Sequence, residues 1–178
     1  MAFRKSKKGS RKRVYCVDIK GKKILNLKKW KEEHPKQIYF ESEFERQAYI
    51  MFNAAGLNFD FQPPARELIP PLKTLALSKG KTKKLFLSSV RPITYTTDFA
   101  IYCDDGTTVF VETKGFFHPD ARLRYKLFQH TLTSKEISLL AFDTYTAKGK
   151  DRMTDVKAII KIIKENYTNQ KTTNTIDI

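Results

Sequence analysis

The chain has 178 residues, of which 40% are hydrophobic and 12% aromatic, enough for one core-forming domain with appendages. Thirty-four Lys and Arg against nineteen Asp and Glu leave a formal charge of +15, which favours a polyanionic partner. No apolar run is long enough to cross a bilayer, the basic N-terminus lacks the apolar segment of a secretory signal, and Cys16 and Cys103 are too few for a zinc or disulfide framework, so a cytoplasmic protein with no membrane partner is expected.

Residues 1–36 hold fourteen basic and three acidic residues, a local +11 that leaves only +4 for the rest. Arg4, Lys5, Lys7, Lys8, Arg11, Lys12 and Arg13 precede the first acid, Asp18, in a segment too poor in apolar residues to pack alone. The reading is a basic N-terminal arm that binds a nucleic-acid backbone, DNA rather than RNA, with salt-sensitive and sequence-independent affinity. The bland alternatives are a solubilising or RNA-binding tail or a nuclear import signal. Trp30, among Lys28, Lys29 and Lys31, either stacks on a base or sugar or anchors the arm.

From Phe40 the pattern becomes globular, and residues 37–168 read as the folded domain. Ser42 and Glu45 have capping-box spacing, Phe44, Ala48, Met51 or Phe52, and Ala55 recur at helical intervals, and Gly56 ends a helix of roughly 13 to 15 residues. Leu57 to Phe61 is a short strand. Pro63-Pro64 and Pro70-Pro71 then interrupt the chain, and residues 63–93 form an insertion. Within it the lysine-rich stretch Ser78-Lys-Gly-Lys-Thr-Lys-Lys84 joins two short apolar runs, Leu75 to Leu77 and Leu85 to Leu87, as a protruding basic hairpin or loop. Lys81, Lys83 and Lys84 are candidate DNA contacts. Gly80-Lys81-Thr82 is no phosphate-binding loop, because Leu75 stands where that motif needs glycine; no nucleotide cofactor is expected.

The most informative residues are Asp98 and Glu112-Thr113-Lys114. Asp104-Asp105-Gly106 has the composition of a three-residue hairpin loop, with glycine where φ > 0 is required. Cys103 then closes against Thr107, and counting outward sets Tyr102 opposite Thr108, Ala100 opposite Phe110 and Asp98 opposite Glu112, all on one face. Like charges directly opposed destabilise a sheet, and a hard divalent cation relieves that repulsion. Lys114, two residues beyond Glu112, shares the face. The alternative is a solvated, half-exposed charged hairpin. Two other acid-x-lysine triplets fail on context: no acid precedes Asp18 in the chain, and Asp155 with Lys157 falls in a helical pattern.

After Gly115, Pro119 opens a helix with Leu123, Leu127 and Phe128 facing inward and Arg122, Arg124 and Lys126 outward. Ile137 to Phe142 is a strand. A last helix runs from about Thr154 to Tyr167 with Val156, Ile159, Ile160 and Ile163 as its apolar stripe, and residues 169–178 are a frayed tail. His34, His118 and His130 lack metal-ligand spacing; His118 either contacts phosphate or is incidental.

This order of elements, together with three motifs, resembles the PD-(D/E)XK nuclease superfamily, and more closely the bacteriophage endonuclease I type of Holliday junction resolvase. Thr94-Tyr-Thr-Thr-Asp-Phe99 is similar to that family's Tyr-Thr-Pro-Asp-Phe, Val111-Glu-Thr-Lys-Gly115 to its Val-Glu-Thr-Lys-Gly, and Ser42-Glu-Phe-Glu45 to its Ser-Gly-Leu-Glu. Thr97 replaces the family's proline, and the connection from Pro63 to Pro92 is longer than the family's. The resemblance implies an α/β, restriction-endonuclease-like core with a central mixed β-sheet flanked by helices. It implies that Asp98 and Glu112, with the backbone carbonyl of Thr113, bind one or two Mg²⁺ ions, with Mn²⁺ able to substitute. Lys114 would orient the attacking water or stabilise the developing charge. Glu45 would serve a second metal, or the helix cap alone. Further implications are 5′-phosphate products, a homodimer, and a branched or four-way DNA substrate in the cytoplasm of a phage host cell, while Arg122 and Arg124, on the outward face of their helix, are candidate DNA contacts. The alternatives are a nicking, transposon-end or restriction-like endonuclease, or a non-catalytic DNA-binding protein on a nuclease scaffold.

Overall fold

A computed structural model describes residues 16–79, 82–115, 118–143 and 151–167. The candidate DNA contacts Arg4, Lys5, Lys7, Lys8, Arg11, Lys12, Arg13 and Lys81, and the tail over 169–178, lie outside the described residues. Cα proximity divides the chain into two compact units, residues 1–47 and 48–178.

In the first unit, β1 (Cys16–Asp18) pairs antiparallel with β2 (Lys23–Ile24) on one side and β3 (Tyr39–Phe40) on the other. Helix α1 (Leu27–Glu33) lies between β2 and β3 in the chain, and the side chain of Asn26 caps it by accepting from the Lys29 N–H at 3.1 Å. Trp30 stacks on His34 and meets the edge of Tyr39, with ring centroids at 5.0 and 6.2 Å. Its indole is therefore spent on packing, the second of its two expected roles. Part of the segment read as a bare arm thus carries secondary structure of its own. Helix α2 (Glu43–Ala54) starts where Ser42 Oγ accepts from the Glu45 N–H at 3.1 Å. It ends at Gly56, whose φ of +71° places it in the left-handed region.

The second unit continues in chain order with β4 (Asn58–Phe61), β5 (Arg66–Ile69), β6 (Leu72–Leu77), β7 (Leu85–Val90), β8 (Ile93–Tyr95), β9 (Phe99–Tyr102), β10 (Thr108–Lys114), α3 (Pro119–His130), β11 (Glu136–Phe142) and α4 (Thr154–Asn166). Four of these strands form a sheet in the order β11-β10-β9-β4, antiparallel except for the parallel β10–β11 pair. A parallel pair needs a crossover, and α3 supplies it. The protein is thus a mixed α/β fold.

Side-chain alternation sets what each face of the sheet buries. Ala100 and Phe110 share one face and form a core with Tyr125 and Phe128 of α3. Phe99, on the other face, meets Phe52 of α2 and Phe59 edge-on, with centroids 5.0 and 5.8 Å apart. Helix α4 lies against β11 and buries Val156, Ile159 and Ile163, three of the four expected stripe residues; Ile160 is half-buried. The expected face of α3 needs correction. Leu123 is 59% exposed, and Tyr125 is buried instead. Ala121, Tyr125 and Phe128 follow the 3.6-residue period, which turns Leu123 about 200° away from Tyr125.

Strands β5 and β8 pair with each other, and so do β6 and β7, so the expected hairpin is present. Its loop closes where the Ser78 N–H donates to the Lys84 carbonyl at 2.8 Å. Arg66 fastens the base of this ribbon. Its guanidinium binds the Glu136 carboxylate and the Thr131 carbonyl and lies over the rings of Phe110 and Phe128. Among the described residues, no helix is long and apolar enough to cross a membrane.

Candidate active site

The site is built on the β9–β10 hairpin. Gly106 adopts φ +82°, its N–H donates to the Cys103 carbonyl, and the Cys103 N–H donates to the Thr107 carbonyl at 2.9 Å. The Asp105 carboxylate stiffens the loop by accepting from the Thr107 N–H and hydroxyl at 2.8 and 3.0 Å. This loop sets the register read from the sequence: Tyr102 faces Thr108, and Ala100 faces Phe110.

The ladder stops one step short of the expected Asp98–Glu112 pair, at Phe99 and Val111. Beyond it, β10 continues to Lys114 on the strength of its pairing with β11, and the β9 chain departs. The Asp98 carboxylate turns to Thr113 and accepts from both its N–H and its hydroxyl, each at 2.6 Å. The Asp98 carbonyl accepts from the Gln62 N–H at 2.8 Å, so both its backbone and its side chain are held. The directly opposed pair expected from the register is therefore not formed, although the Asp98 charge still acts on Glu112.

Glu112 is 2% exposed. Its Oε1 pairs with Lys114 Nζ, while its Oε2 is buried with no well-aligned hydrogen-bond partner among the described residues. Burial first, and the Asp98 charge second, push the Glu112 carboxyl up to about 7, against the opposing pull of Lys114. The Tyr95 hydroxyl is buried beside it and also lacks a well-aligned hydrogen bond; its pKa is pushed up by burial first and then by the Glu112 charge. Glu112 and Tyr95 line an open cleft of about 340 Å³ with Thr94, Thr96, Lys114, Asp120, Ala121 and Arg124; Asp98 is not among the lining residues. The end of β10 thus forms one part of the cleft, the end of β8 another, and the first turns of α3 a third.

The donor set suits a hard cation. Asp98 and Glu112 offer only oxygen, and the orphaned Glu112 Oε2 is a buried acceptor that a cation would satisfy. Among the described residues, no group of three or more His, Cys, Asp or Glu side chains gathers as a metal site. A cation held by two carboxylates alone would keep its remaining positions for water or substrate. Glu45 has an evident structural role: its carboxylate accepts from the Glu41 N–H at 2.6 Å, within the first unit.

Of the basic candidates, Arg124 lines the cleft, Arg122 is exposed on α3, and Lys83 and Lys84 are exposed at the hairpin tip. Tyr95 and Asp120 are lining residues to which sequence reasoning gave no role. Tyr95 was visible inside the motif, three residues before Asp98, and Asp120, four residues before the candidate Arg124 on α3, carried only a charge-spacing signal.

Residues 35–142 match the family DUF1064, described as a protein of unknown function. No curated protein and no solved structure matches the chain.

Proposed function

The chain belongs to the DUF1064 family, whose function is unknown, and we propose that it is a Mg²⁺-dependent endodeoxyribonuclease of the PD-(D/E)XK superfamily that resolves four-way or branched DNA. The observation that carries this reading is the pairing of the buried Glu112 with the partly exposed Lys114, with the Asp98 charge acting on Glu112, at a cleft also lined by Arg124.

Asp98 and Glu112 would hold the cation, with Mn²⁺ able to replace Mg²⁺; the Thr113 carbonyl completes the proposed ligand set. A bound divalent cation supplies charge neutralisation at the phosphodiester and a water acidic enough to lose its proton near neutral pH. The protein's own groups do the rest. Thr113 orients the Asp98 carboxylate through two hydrogen bonds. Glu112 fixes the Lys114 ammonium at the cleft, where it stabilises negative charge gathering on the phosphate. Arg124 meets the substrate as a second cation, and the half-buried Tyr95 helps to keep water from Glu112. Two opposed strands of a symmetric junction need two sites, which a twofold homodimer provides. The proposed setting is the cytoplasm of a phage host.

The test is cleavage of a panel of synthetic junction, flap, nicked and linear DNAs with Mg²⁺, with product ends mapped. Junctions are expected to be cut more readily than linear duplex, leaving 5′-phosphates. Equal cutting of linear duplex assigns the chain to the nicking or restriction-like nucleases. Salt-sensitive binding with no scission in Mg²⁺ or Mn²⁺ rejects the enzyme and leaves a DNA-binding scaffold.

A further inference from the structure

The β6–β7 hairpin has a composition that neither a core nor an ordinary surface explains. Its register sets Leu75 opposite Leu87 and Leu77 opposite Leu85, so four leucines occupy one face of its distal half. They are 60–68% exposed. On the other face Phe86, at 47%, is exposed as well. A two-stranded ribbon is marginal in water at best, and an apolar face of this kind marks a contact surface.

Charge selects the partner. From residue 68 to residue 97 the chain has six Lys and Arg and no acid, and the described Lys79, Lys83 and Lys84 lie at the hairpin turn. A second copy of the hairpin would bring like charges together, whereas a polyanion complements them. The partner must therefore present an apolar plane among phosphates, and nucleic acid does so where base pairs lose their stacking neighbours. Proteins that kink or open duplexes use this combination, apolar side chains entering a base step with cations on the flanking phosphates.

The ribbon's placement ties this surface to the cleft. Ile69 faces Ile93 and Leu72 faces Val90, so by count Pro70 stands level with Pro92 and Pro71 with Arg91. Prolines have no N–H to give a ladder, which accounts for the break between the two strand pairs. Below that break β8 runs into Thr94 and Tyr95 of the cleft, and Arg66, paired with Tyr95, is bound to Glu136. A load on the hairpin is thus borne by a strand that lines the active site.

We infer that the β6–β7 hairpin is a wedge that lays its leucine face on unstacked base pairs at the branch point of DNA, with its lysines on the adjoining phosphates. This rests on the DNA-cleaving reading and adds to it how a branch is told from a continuous duplex.

The experiment uses the full chain and a four-way junction carrying 2-aminopurine at the branch, without divalent ions. Binding is expected to raise the fluorescence severalfold, and permanganate to oxidise branch-point thymines that are protected in the free junction. The variant Leu75→Ser/Leu77→Ser/Leu85→Ser/Leu87→Ser, with its fold checked by circular dichroism, is expected to bind without the rise. The permanganate result needs no variant, so misfolding of the serine chain leaves the idea testable. Wild-type protein that cuts junctions in Mg²⁺ but leaves the thymines unreactive overturns the wedge alone. Unstacking without any cutting overturns the nuclease reading and keeps the wedge. A serine variant that still raises the fluorescence but passes from dimer to monomer overturns the wedge and gives the face to a second copy.

Discussion

At Glu112, burial and the charge of Asp98 both favour the protonated carboxyl, and the ion pair with Lys114 only partly offsets them. A carboxyl held at about 7 in the folded state, against 4.5 as its ordinary value, makes the native protein bind the extra proton across that window. Stability of the metal-free protein should therefore fall as pH rises through it. Glu112→Gln should flatten that slope, as read from denaturant melts at either end of the window. Added Mg²⁺ should stabilise the wild type more at the alkaline end, where the carboxylate is ready to bind. Lys114→Ala and Asp98→Asn address the chemistry directly: each should retain DNA binding while cleavage falls by roughly 10²–10³-fold, as when one preorganised charge-stabilising group is removed. Loss of binding in step with cleavage would reassign both residues to substrate affinity.

Helix α3 serves both the core and the cleft, through different faces. Phe128→Ala should cost about 3–5 kcal/mol in chemical denaturation, whereas Leu123→Ala, on the exposed side, should stay within about 0.5 kcal/mol. Equal losses would contradict the placement of Tyr125 and Phe128 as the buried stripe. The fastening of β5 to the start of β11 is electrostatic. Arg66 first, and the Thr133 N–H in support, hold the Glu136 carboxyl down at about 2 from its ordinary 4.5. The stability it contributes is present above the ordinary value and is lost as pH falls toward the folded one. Acid titration of Glu136→Gln should lack that limb of the unfolding curve. At this scale the sequence spoke unevenly. Capping-box spacing located the start of α2 and Pro119 the start of α3; on α3 Phe128 is buried and Leu127 half-buried as expected, whereas Leu123 is exposed and its place in the stripe falls to Tyr125.

For the whole molecule, charge is concentrated at the N-terminus, where residues 1–36 carry +11 of the total +15. Deleting residues 1–15 should weaken binding to every DNA alike. It should also lower the slope of log affinity against log salt by up to ~0.9 for each phosphate contact removed, leaving the cleavage positions unchanged. A shift in those positions would give the arm a part in specificity. The cleft is assembled from β8, β10 and α3, all in the second unit.

By itself the sequence determined the β9–β10 hairpin, because a short loop with one left-handed glycine leaves a single register. It thereby set Asp98 one step beyond the ladder, near the Glu112-Thr113-Lys114 end of β10. Only the tertiary structure decided that β10 outlasts β9, since its last residues are held by β11 from a distant part of the chain. That asymmetry turns Asp98 onto Thr113, and Glu112 Oε2 finds no well-aligned hydrogen-bond partner among the described residues. It also brings Tyr95 and Arg124 to one cleft, because cavities and proton affinities depend on what packs around a residue and not on its neighbours in sequence.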